Sequence, residues 1–380
     1  MKATWDIFCT VVDNYGDIGI TWRLARQLQV EHGMQVRLWV DDLVPFARLW
    51  PAANAEQAQQ WHDGVEVRHW SGEWQATEVA DVVVGAFACK LPPEYVDAMA
   101  ARSPSPLWLN LDYLSAETWV DGCHGLPSPQ PGGLRKYFFF PGFTTGTGGL
   151  LREAGLIERR EAFQADPAAR QAFLAGMGVE PEPGARLLSL FAYEHSGLAS
   201  WLDALADDTR SNHLLVPEGR VLADVRQWLG EASLEVGSQV QRGNLKVQVL
   251  PFVRQSEYDR LLWCCDFNAV RGEDSFVRAQ WAAAPMVWHI YVQEEYAHWE
   301  KLEAFLDRYG EGLSPAAYAA LRGLWRAWNQ SVEGADIGPA WREALEHWPE
   351  LVAHARQWCA LQAAQADLAT ALVQFYRNWL

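Results

Sequence analysis

Two acidic residues four positions apart follow the first apolar segment of the chain. Asp13 and Asp17 bound the segment DNYGD at 13–17, directly after a β-forming run at residues 5–12, and an amphipathic helical pattern begins near Gly19. Carboxylates placed where a strand ends could bind a cationic group or accept a proton from it. A structural alternative makes Asp13 an Asx-turn residue and Asp17 a helix N-cap, which are common roles of aspartate.

A second polar cluster lies in the segment FNAVRGEDSF at 267–276, which again has the pattern strand, turn, helix. Backbone N–H groups at the start of that helix and the guanidinium of Arg271 would bind a diphosphate. Glu273 and Asp274 would repel phosphate, so they either accept hydrogen bonds from sugar hydroxyls or cap the helix. Aromatic residues that could stack a base follow neighbouring strands: Phe191, Tyr193 and Phe252.

Several common catalytic signatures are missing from the sequence. The turn after the first strand lacks GxGxxG, and TTGTGG at 144–149 lacks the Lys-Ser/Thr ending of a P-loop, so we interpret it as a flexible connection between domains. The ten His include no HExxH motif, and no GxSxG elbow occurs. The six Cys lack the paired spacing of a zinc site. The sequence therefore predicts reduced thiols and no metal site.

Segments with a strand pattern alternate along the chain with segments that have a helical pattern, and this alternation predicts two α/β domains. At 380 residues the chain exceeds what one hydrophobic core usually supports. Continuous apolar character, as in VADVVVGAF at 79–87, is typical of a buried parallel strand. Predicted strands lie at 5–12, 35–40, 65–69, 79–87 and 107–111 in the first half, and at 186–191, 213–216, 247–251, 267–270 and 286–291 in the second.

The predicted fold class is α/β, with two Rossmann-like domains facing across a cleft and a C-terminal helical region, the GT-B architecture of glycosyltransferases. The first, acceptor-side domain is predicted at 1–180, with a terminal helix at 362–380 packing back on it. The second, which would bind a nucleotide sugar, is predicted at 185–361. The Gly- and Pro-rich segment 122–149 is interpreted as the beginning of the connection. Some epimerases and phosphorylases share this architecture, so the fold alone does not specify the reaction.

The charge of the chain limits its partners. There are 31 Lys and Arg against 48 Asp and Glu, a formal charge of −17, which argues against a nucleic-acid partner. The negative charge suits a cationic partner, or it serves the solubility of the protein alone. The amino terminus has acids where a signal peptide needs an apolar stretch, and no apolar window of about eighteen residues occurs. We therefore expect a cytoplasmic protein without a membrane partner.

Long segments of the sequence resemble the EarP family, the arginine rhamnosyltransferases of elongation factor P. The resemblance extends over both predicted domains and includes the two acidic residues after the first strand and the Arg-Gly-Glu-Asp-Ser turn. The segments that carry it are VVDNYGDIG at 11–19, NLDYLSAETWV at 110–120, KYFFFPGFTTGTGGLLRE at 136–153, LSLFAYEH at 188–195 and AVRGEDSFVRAQWAAAPMVWHIYVQEE at 269–295.

The resemblance implies an inverting transfer of L-rhamnose from dTDP-β-L-rhamnose to an arginine of elongation factor P, which then relieves ribosome stalling at proline runs. It implies no cofactor and no required metal. Asp13 and Asp17 correspond to the family's catalytic acids, and Glu273 is assigned to the catalytic set as well as to the donor pocket. The residues assigned to the donor pocket are Asn14, Tyr15, Gly16, Phe191, Tyr193, Phe252, Gln255, Arg271, Glu273, Asp274 and Ser275.

This chemistry fits the residue types. The guanidinium of arginine stays protonated and delocalised at physiological pH, so it is a poor nucleophile. Two carboxylates could bind it in bidentate fashion, localise its charge and accept a proton, and we predict that Asp17 is the base and Asp13 its orienting partner. Two alternatives remain open at this point: a sugar-nucleotide epimerase of the same fold, and a binding module without catalytic activity.

Overall fold

The computed structural model describes residues 2–12, 15–70, 74–231, 233–292, 297–330 and 336–380. The chain divides into two compact units. Unit 1 contains residues 1–154 and 362–380, and unit 2 contains residues 155–361.

Unit 1 is built around a mostly parallel sheet of eight strands. Its strands are β1 (Thr4–Cys9), β2 (Gln35–Val40), β3 (Gln59–His62), β4 (Val65–His69), β5 (Val82–Ala86), β6 (Leu107–Leu111), β7 (Pro127–Pro129) and β8 (Arg135–Phe139). Its helices are α1 (Gly16–Val30), α2 (Leu43–Leu49), α3 (Pro93–Ala101), α4 (Trp119–Cys123) and the final helix at Leu368–Trp379. The strand order is β3-β4-β2-β1-β5-β6-β8-β7, in which β3 pairs antiparallel with β4 and β7 pairs antiparallel with β8.

The strand order of unit 1 reverses beside β1. The chain runs from β1 to β2 and β4 on one side, and then returns to place β5 on the other side, parallel to β1. Every residue of β5 is buried, as expected for a central parallel strand. In open α/β sheets ligands bind at such a reversal, outside the carboxyl ends of the strands. The loops that follow β1 and β5 are therefore the natural site in unit 1.

Unit 2 contains a second, six-stranded sheet. Its strands are β9 (Arg186–Leu190), β10 (Asn212–Pro217), β11 (Gln239–Arg242), β12 (Leu245–Leu250), β13 (Phe267–Arg271) and β14 (Met286–His289). The helices that follow α4 in the chain are α5 (Leu156–Ala165), α6 (Pro167–Gly176), α7 (Leu198–Ala206), α8 (Leu222–Leu229), α9 (Gln255–Cys264), α10 (Asp274–Trp281), α11 (Ala297–Tyr309), α12 (Pro315–Asn329), α13 (Ile337–Glu346) and α14 (Trp348–Ala363), and the final helix becomes α15.

The sheet of unit 2 has its own reversal point. The strand order is β11-β12-β10-β9-β13-β14, in which β9 is flanked by β10 on one side and β13 on the other. Both pairings of β9 are parallel, and all of its residues are buried. The segments after β9 and after β13 therefore emerge side by side at the carboxyl edge, where a ligand of a doubly wound sheet would bind.

The predicted fold class is confirmed at the level of two Rossmann-like sheets followed by a helical region. Strands at 35–40, 65–69 and 107–111 have the predicted bounds, while the helix predicted near Gly19 begins at Gly16. The sequence did not predict the helices α3 and α4 or the four strands β3, β7, β8 and β11. The terminal helical region is interrupted at residues 364–367, so α14 and α15 are separate helices.

Residues 155–176 lie in unit 2, although the sequence reading grouped them with the first domain. Helices α5 and α6 pack against α9. Phe163 contacts Trp263 with ring centroids 5.9 Å apart, and Gln164 Nε2 donates to the carbonyls of Trp263 and Ala282, each at 3.2 Å. The division of the chain therefore falls between Ala154 and Gly155 rather than between residues 180 and 185, where the two predicted domains met.

The segment 144–149 does not connect the two units, which corrects the interpretation of TTGTGG as a flexible linker. It is a packed turn inside unit 1, where Thr147 Oγ1 donates to the carbonyl of Thr144 at 2.8 Å. Gly149 has φ +69°, and a Cβ there would clash with the carbonyl of Ala366. Glycine is required at this position because the backbone passes so close to the residues that immediately precede α15.

Candidate functional site

In unit 1 the predicted catalytic acids fall on the loop and helix start after β1. Asp13 and Asn14 lie outside the described residues. Tyr15 stands at the N-cap position of α1, and Gly16 is the first residue of the helix. The peptide N–H of Gly19 donates to the carbonyl of Tyr15 at 2.9 Å, so the helix is already regular at this point.

Asp17 lies in the first turn of α1 and is buried, with 4% of its surface exposed. Its Oδ2 accepts a hydrogen bond of 2.8 Å from the backbone N–H of Val12. The structural alternative of an N-cap is therefore wrong for Asp17, because its carboxylate reaches back to the loop before the helix. The charge of Asp17 also contributes, after burial, to a raised pKa of the Cys9 thiol, which remains protonated.

A second carboxylate, missed by the sequence reading, holds the same loop. Asp41 follows β2, and its Oδ1 accepts from the backbone N–H of Val11 at 2.8 Å. Two successive amides, those of Val11 and Val12, are thus each bound by an aspartate. Hydrogen bonds to charged acceptors are stronger than neutral ones, so the loop after β1 is fixed at two adjacent points. Only knowledge of the strand order could have identified Asp41.

Asp41 also lines a cavity of about 1240 Å³ within unit 1. The cavity lies at the carboxyl ends of β2 and β4, and its walls include the indoles of Trp39, Trp70 and Trp74. Trp70 donates its Nε1 to the carbonyl of Cys9 at 3.4 Å, at the end of β1. The cavity therefore adjoins the loop that leads to Asp17.

The loop after β5 completes this edge of the sheet in unit 1. Phe87 and Ala88 have φ of 54° and 57°, a conformation that non-glycine residues adopt at a cost of about 1 kcal/mol or more each. The Phe87 ring stacks on Tyr113, which follows β6, with centroids 4.9 Å apart. Thr10 Oγ1 donates to Cys89 Sγ at 3.3 Å, which joins the loops after β1 and β5. The sequence motifs singled out the loop after β1 but not the loop after β5.

In unit 2 the predicted diphosphate-binding residue is held by two aromatic rings. Arg271 ends β13 and is 6% exposed. Its guanidinium carbon lies 4.9 Å from the centroid of the Phe191 ring and 4.6 Å from that of Tyr193. Both aromatic residues follow β9, the strand that pairs with β13. Cation–π contacts of this kind orient the guanidinium, whose N–H groups lie in its own plane.

Two buried histidines support the ring of Tyr193. The His289 ring meets it edge-on at 5.2 Å, and the His195 ring lies 5.3 Å from that of His289. Burial lowers the pKa of His289 to about 3, and the neighbouring side chains of His195 and Arg271 lower it further. Burial also lowers the pKa of His195. Both imidazoles are therefore neutral at physiological pH, so they add no charge beside Arg271.

The acidic residues that could accept hydrogen bonds from sugar hydroxyls lie at the start of α10. Glu273 is at the N-cap position, but among the described residues its side chain makes no capping hydrogen bond. Asp274 is the first residue of the helix, and its Oδ2 accepts from Gln255 Nε2 at 3.3 Å. Ser275 follows in the same turn. Gln255 begins α9, so the structure brings together residues after β12 and β13.

Glu273 has a cationic neighbour that the sequence reading did not identify. Lys301 Nζ lies 3.5 Å from Glu273 Oε1, and the two side chains are 13% and 14% exposed. Lys301 belongs to α11, twenty-eight positions along the chain, in a segment without a recognisable motif. Phe252, the remaining aromatic candidate, follows β12 and is half-buried. Phe191, Tyr193, Phe252, Gln255, Arg271, Glu273, Asp274 and Ser275 thus lie in unit 2, while the donor candidates Tyr15 and Gly16 lie in unit 1 beside Asp17 in sequence.

Comparison with known proteins gives consistent matches over the whole chain. Residues 5–377 match the sequence model of the family described as elongation factor P rhamnosyltransferase EarP. A protein-arginine rhamnosyltransferase from Pseudomonas putida is 68% identical over the full length of both chains. A solved structure that describes EarP-mediated arginine glycosylation of translation elongation factor EF-P is 51% identical, covers all of both chains and has a TM-score of 0.71.

A more distant structure extends the likeness of the fold. A glycosyltransferase from Rickettsia africae is 10% identical, covers 99% of this chain and 98% of its own, and has a TM-score of 0.55, which indicates a shared fold alone. Within the part of the chain that is described, no helix is long and apolar enough to cross a membrane. In that same part, all six cysteines are free thiols.

Proposed function

The chain belongs to the EarP family of elongation factor P rhamnosyltransferases, and we propose that it transfers L-rhamnose from dTDP-β-L-rhamnose to one arginine side chain of elongation factor P. The rhamnosylated factor would relieve ribosome stalling at proline runs. The observation that carries the proposal is the position of Arg271, stacked on Phe191 and Tyr193 at the reversal point of the second sheet. That is where a doubly wound sheet binds a nucleotide.

On the donor side, Arg271 and the backbone N–H groups at the start of α10 bind the diphosphate. Phe252 stacks on the base, since it follows β12 at the same edge of the sheet. Glu273, Asp274 and Ser275 accept or donate hydrogen bonds to the hydroxyls of the sugar. In this proposal an arginine and a helix start neutralise the diphosphate, so the reaction requires no metal ion and no cofactor.

On the acceptor side, unit 1 binds elongation factor P, and Asp17 is the base. The hydrogen bond from Val12 to Oδ2 fixes the carboxylate of Asp17, which takes the proton of the acceptor guanidinium. The cavity beside Asp41 supports an acceptor role for this unit, since it adjoins the loop that carries the acids. Asp13 is the orienting partner.

An inverting displacement requires the nucleophile to attack opposite to the departing diphosphate. Asp17 would remove the proton from the attacking nitrogen, the new C–N bond would form as the bond between C1 and the phosphate oxygen breaks, and dTDP would leave with both electrons of that bond. The proposal therefore gives the base and the diphosphate-binding group to different units of the chain, Asp17 to unit 1 and Arg271 to unit 2.

The deciding experiment incubates the protein with dTDP-β-L-rhamnose and unmodified elongation factor P and then weighs the factor by mass spectrometry. We expect a gain of one deoxyhexose, located on an arginine by fragmentation, and an α-linkage in the NMR spectrum of the product. Conversion of the sugar nucleotide without any gain by the factor would instead identify an epimerase. Binding of the factor without turnover would identify a binding module.

A further inference from the structure

We propose that Lys301 is a positioning residue of the donor site, which compensates the charge of Glu273 and so allows a carboxylate to stand beside a bound diphosphate. This inference rests on the proposed function, because it concerns the same nucleotide-sugar site. Lys301 would touch neither the sugar nor the phosphates, and its effect on the donor would be exerted through Glu273.

The ion pair is close and largely shielded from water. Lys301 Nζ and Glu273 Oε1 are 3.5 Å apart, with 13% and 14% of the two side chains exposed. Exposed ion pairs contribute little because solvent screens them, whereas a shielded pair interacts strongly and leaves a costly charge when one partner is removed. The electrostatic state of Glu273 therefore depends on Lys301.

Aromatic contacts fix α11 against α10, so this distance is set by the packing of unit 2. Phe305, one helical turn after Lys301, packs edge-on against Phe276 of α10 with centroids 4.8 Å apart. Phe276 in turn stacks on Trp288 at 4.1 Å, and Trp288 Nε1 donates to the carbonyl of Gly272 at 2.7 Å. These contacts hold both ends of the ion pair.

Glu273 lies where its negative charge would repel a bound diphosphate, and the positive charge of Lys301 offsets it. Glu273 is the N-cap residue of α10, the place where backbone N–H groups would meet the diphosphate. A carboxylate there repels phosphate unless a neighbouring cation offsets its charge. With Lys301 in place, Glu273 stays ionised as an acceptor for sugar hydroxyls, and the net charge of the pair is zero.

The test is a double-mutant cycle read out by calorimetric titration with dTDP. Lys301→Met should weaken dTDP binding by about tenfold or more, because the positive charge that pairs with Glu273 beside the diphosphate is lost. Lys301→Arg should restore binding to within about threefold of wild type, since it keeps the charge. In the Lys301→Met, Glu273→Gln double variant, affinity should return to within about threefold of Glu273→Gln alone, since no charge remains to be compensated.

A matched control removes the same charge elsewhere in unit 2. Lys246 lies near the amino end of β12, whereas the donor site lies at the carboxyl ends of the strands. Lys246→Met should therefore bind dTDP as wild type does. Thermal unfolding is measured for every variant, and Lys301→Gln replaces Lys301→Met in the cycle if the latter does not fold.

Three results would overturn the role of Lys301: wild-type affinity of Lys301→Met, an equal loss in Lys246→Met, or a double variant that binds about tenfold more weakly than Glu273→Gln alone. The last outcome would mean that Lys301 contacts the phosphates directly. If the wild-type protein binds neither dTDP nor dTDP-rhamnose, the proposed donor is itself wrong and the role of Lys301 falls with it. The affinity of the wild-type protein thus separates the two failures.

Discussion

Replacement of Arg271 by alanine is the sharpest test of the donor site. The variant loses hydrogen bonds between a charged donor and a charged acceptor, and such bonds contribute about 1.5 to 3 kcal/mol each. At about 1.4 kcal/mol per factor of ten, the loss of one such bond weakens dTDP binding by roughly 10- to 150-fold. Calorimetry should show similar losses for dTDP and dTDP-rhamnose, because the diphosphate is common to both.

The same substitution also removes two cation–π contacts from the core of the site, those to Phe191 and Tyr193. Each contributes about 0.5 to 2 kcal/mol, so we expect a measurable decrease in the free energy of unfolding as well. Arg271→Lys keeps the charge but loses the planar fork, and its affinity for dTDP should lie between those of wild type and Arg271→Ala. This intermediate value would separate the role of charge from that of geometry.

Arg242→Ala is a suitable control because it removes another stacked arginine from unit 2. The guanidinium of Arg242 lies 4.3 Å from the ring centroid of Trp228, and the side chain is 51% exposed. This variant should lose some stability without losing affinity for dTDP. A folded Arg271→Ala protein that binds both ligands as wild type does would remove Arg271 from the donor site and refute the reasoning.

Five further changes have defined outcomes. Asp17→Asn should lower the transfer rate by about 100- to 10,000-fold while donor affinity is kept, because the amide oxygen can still accept from Val12 but cannot take a proton; a rate near wild type would exclude Asp17 as the base. Phe252→Ala should weaken the binding of dTDP and of dTDP-rhamnose alike, by roughly 1 to 3 kcal/mol. Asp274→Ala should weaken the binding of dTDP-rhamnose more than that of dTDP; if this variant binds both ligands as tightly as wild type does, Asp274 has only a structural role. A chelator should leave transfer unchanged, and a loss restored by one added metal would contradict a metal-free reaction. Because the unfolded chain binds a proton to His289 below about pH 6.5 and the folded protein only near pH 3, the free energy of unfolding should fall on acidification between these values, with a smaller slope in His289→Asn.

Local patterns in the sequence identified the elements that carry the two acidic motifs. The apolar runs of β1 and β13 are buried strands, and each is followed by a helix within a few residues. Such strand, turn, helix units depend on neighbours in sequence and can be predicted from it. The same reasoning missed β8, because the Gly- and Pro-rich residues around it suggested a loop. Its pairing with β6 is a long-range contact.

The contacts that tune the site are equally long-range. Asp41 binds the amide of Val11 because β2 lies beside β1, and Lys301 reaches Glu273 because Phe305 packs on Phe276. Neither interaction has a motif, since each depends on which strands and helices are neighbours. The stacking of Arg271 on Phe191 and Tyr193 also follows from the pairing of β13 with β9, although the three residues were singled out individually.

Unit 1 consists of residues that precede unit 2 in the chain and residues that follow it, so the ribosome makes all of unit 2 before it makes the last helix of unit 1. Its last helix is joined to it by Gln27 Nε2, which donates to Asp367 Oδ1 at 3.0 Å, and by the packing of Phe375 on Phe139 at 5.8 Å. At about 5 to 20 residues per second, the ribosome needs roughly 10 to 40 s to make the intervening residues of unit 2. During that interval the first-made strands are complete but lack α15. Unit 2 can therefore finish folding first, which reverses the usual order in which the amino-terminal unit matures before the next.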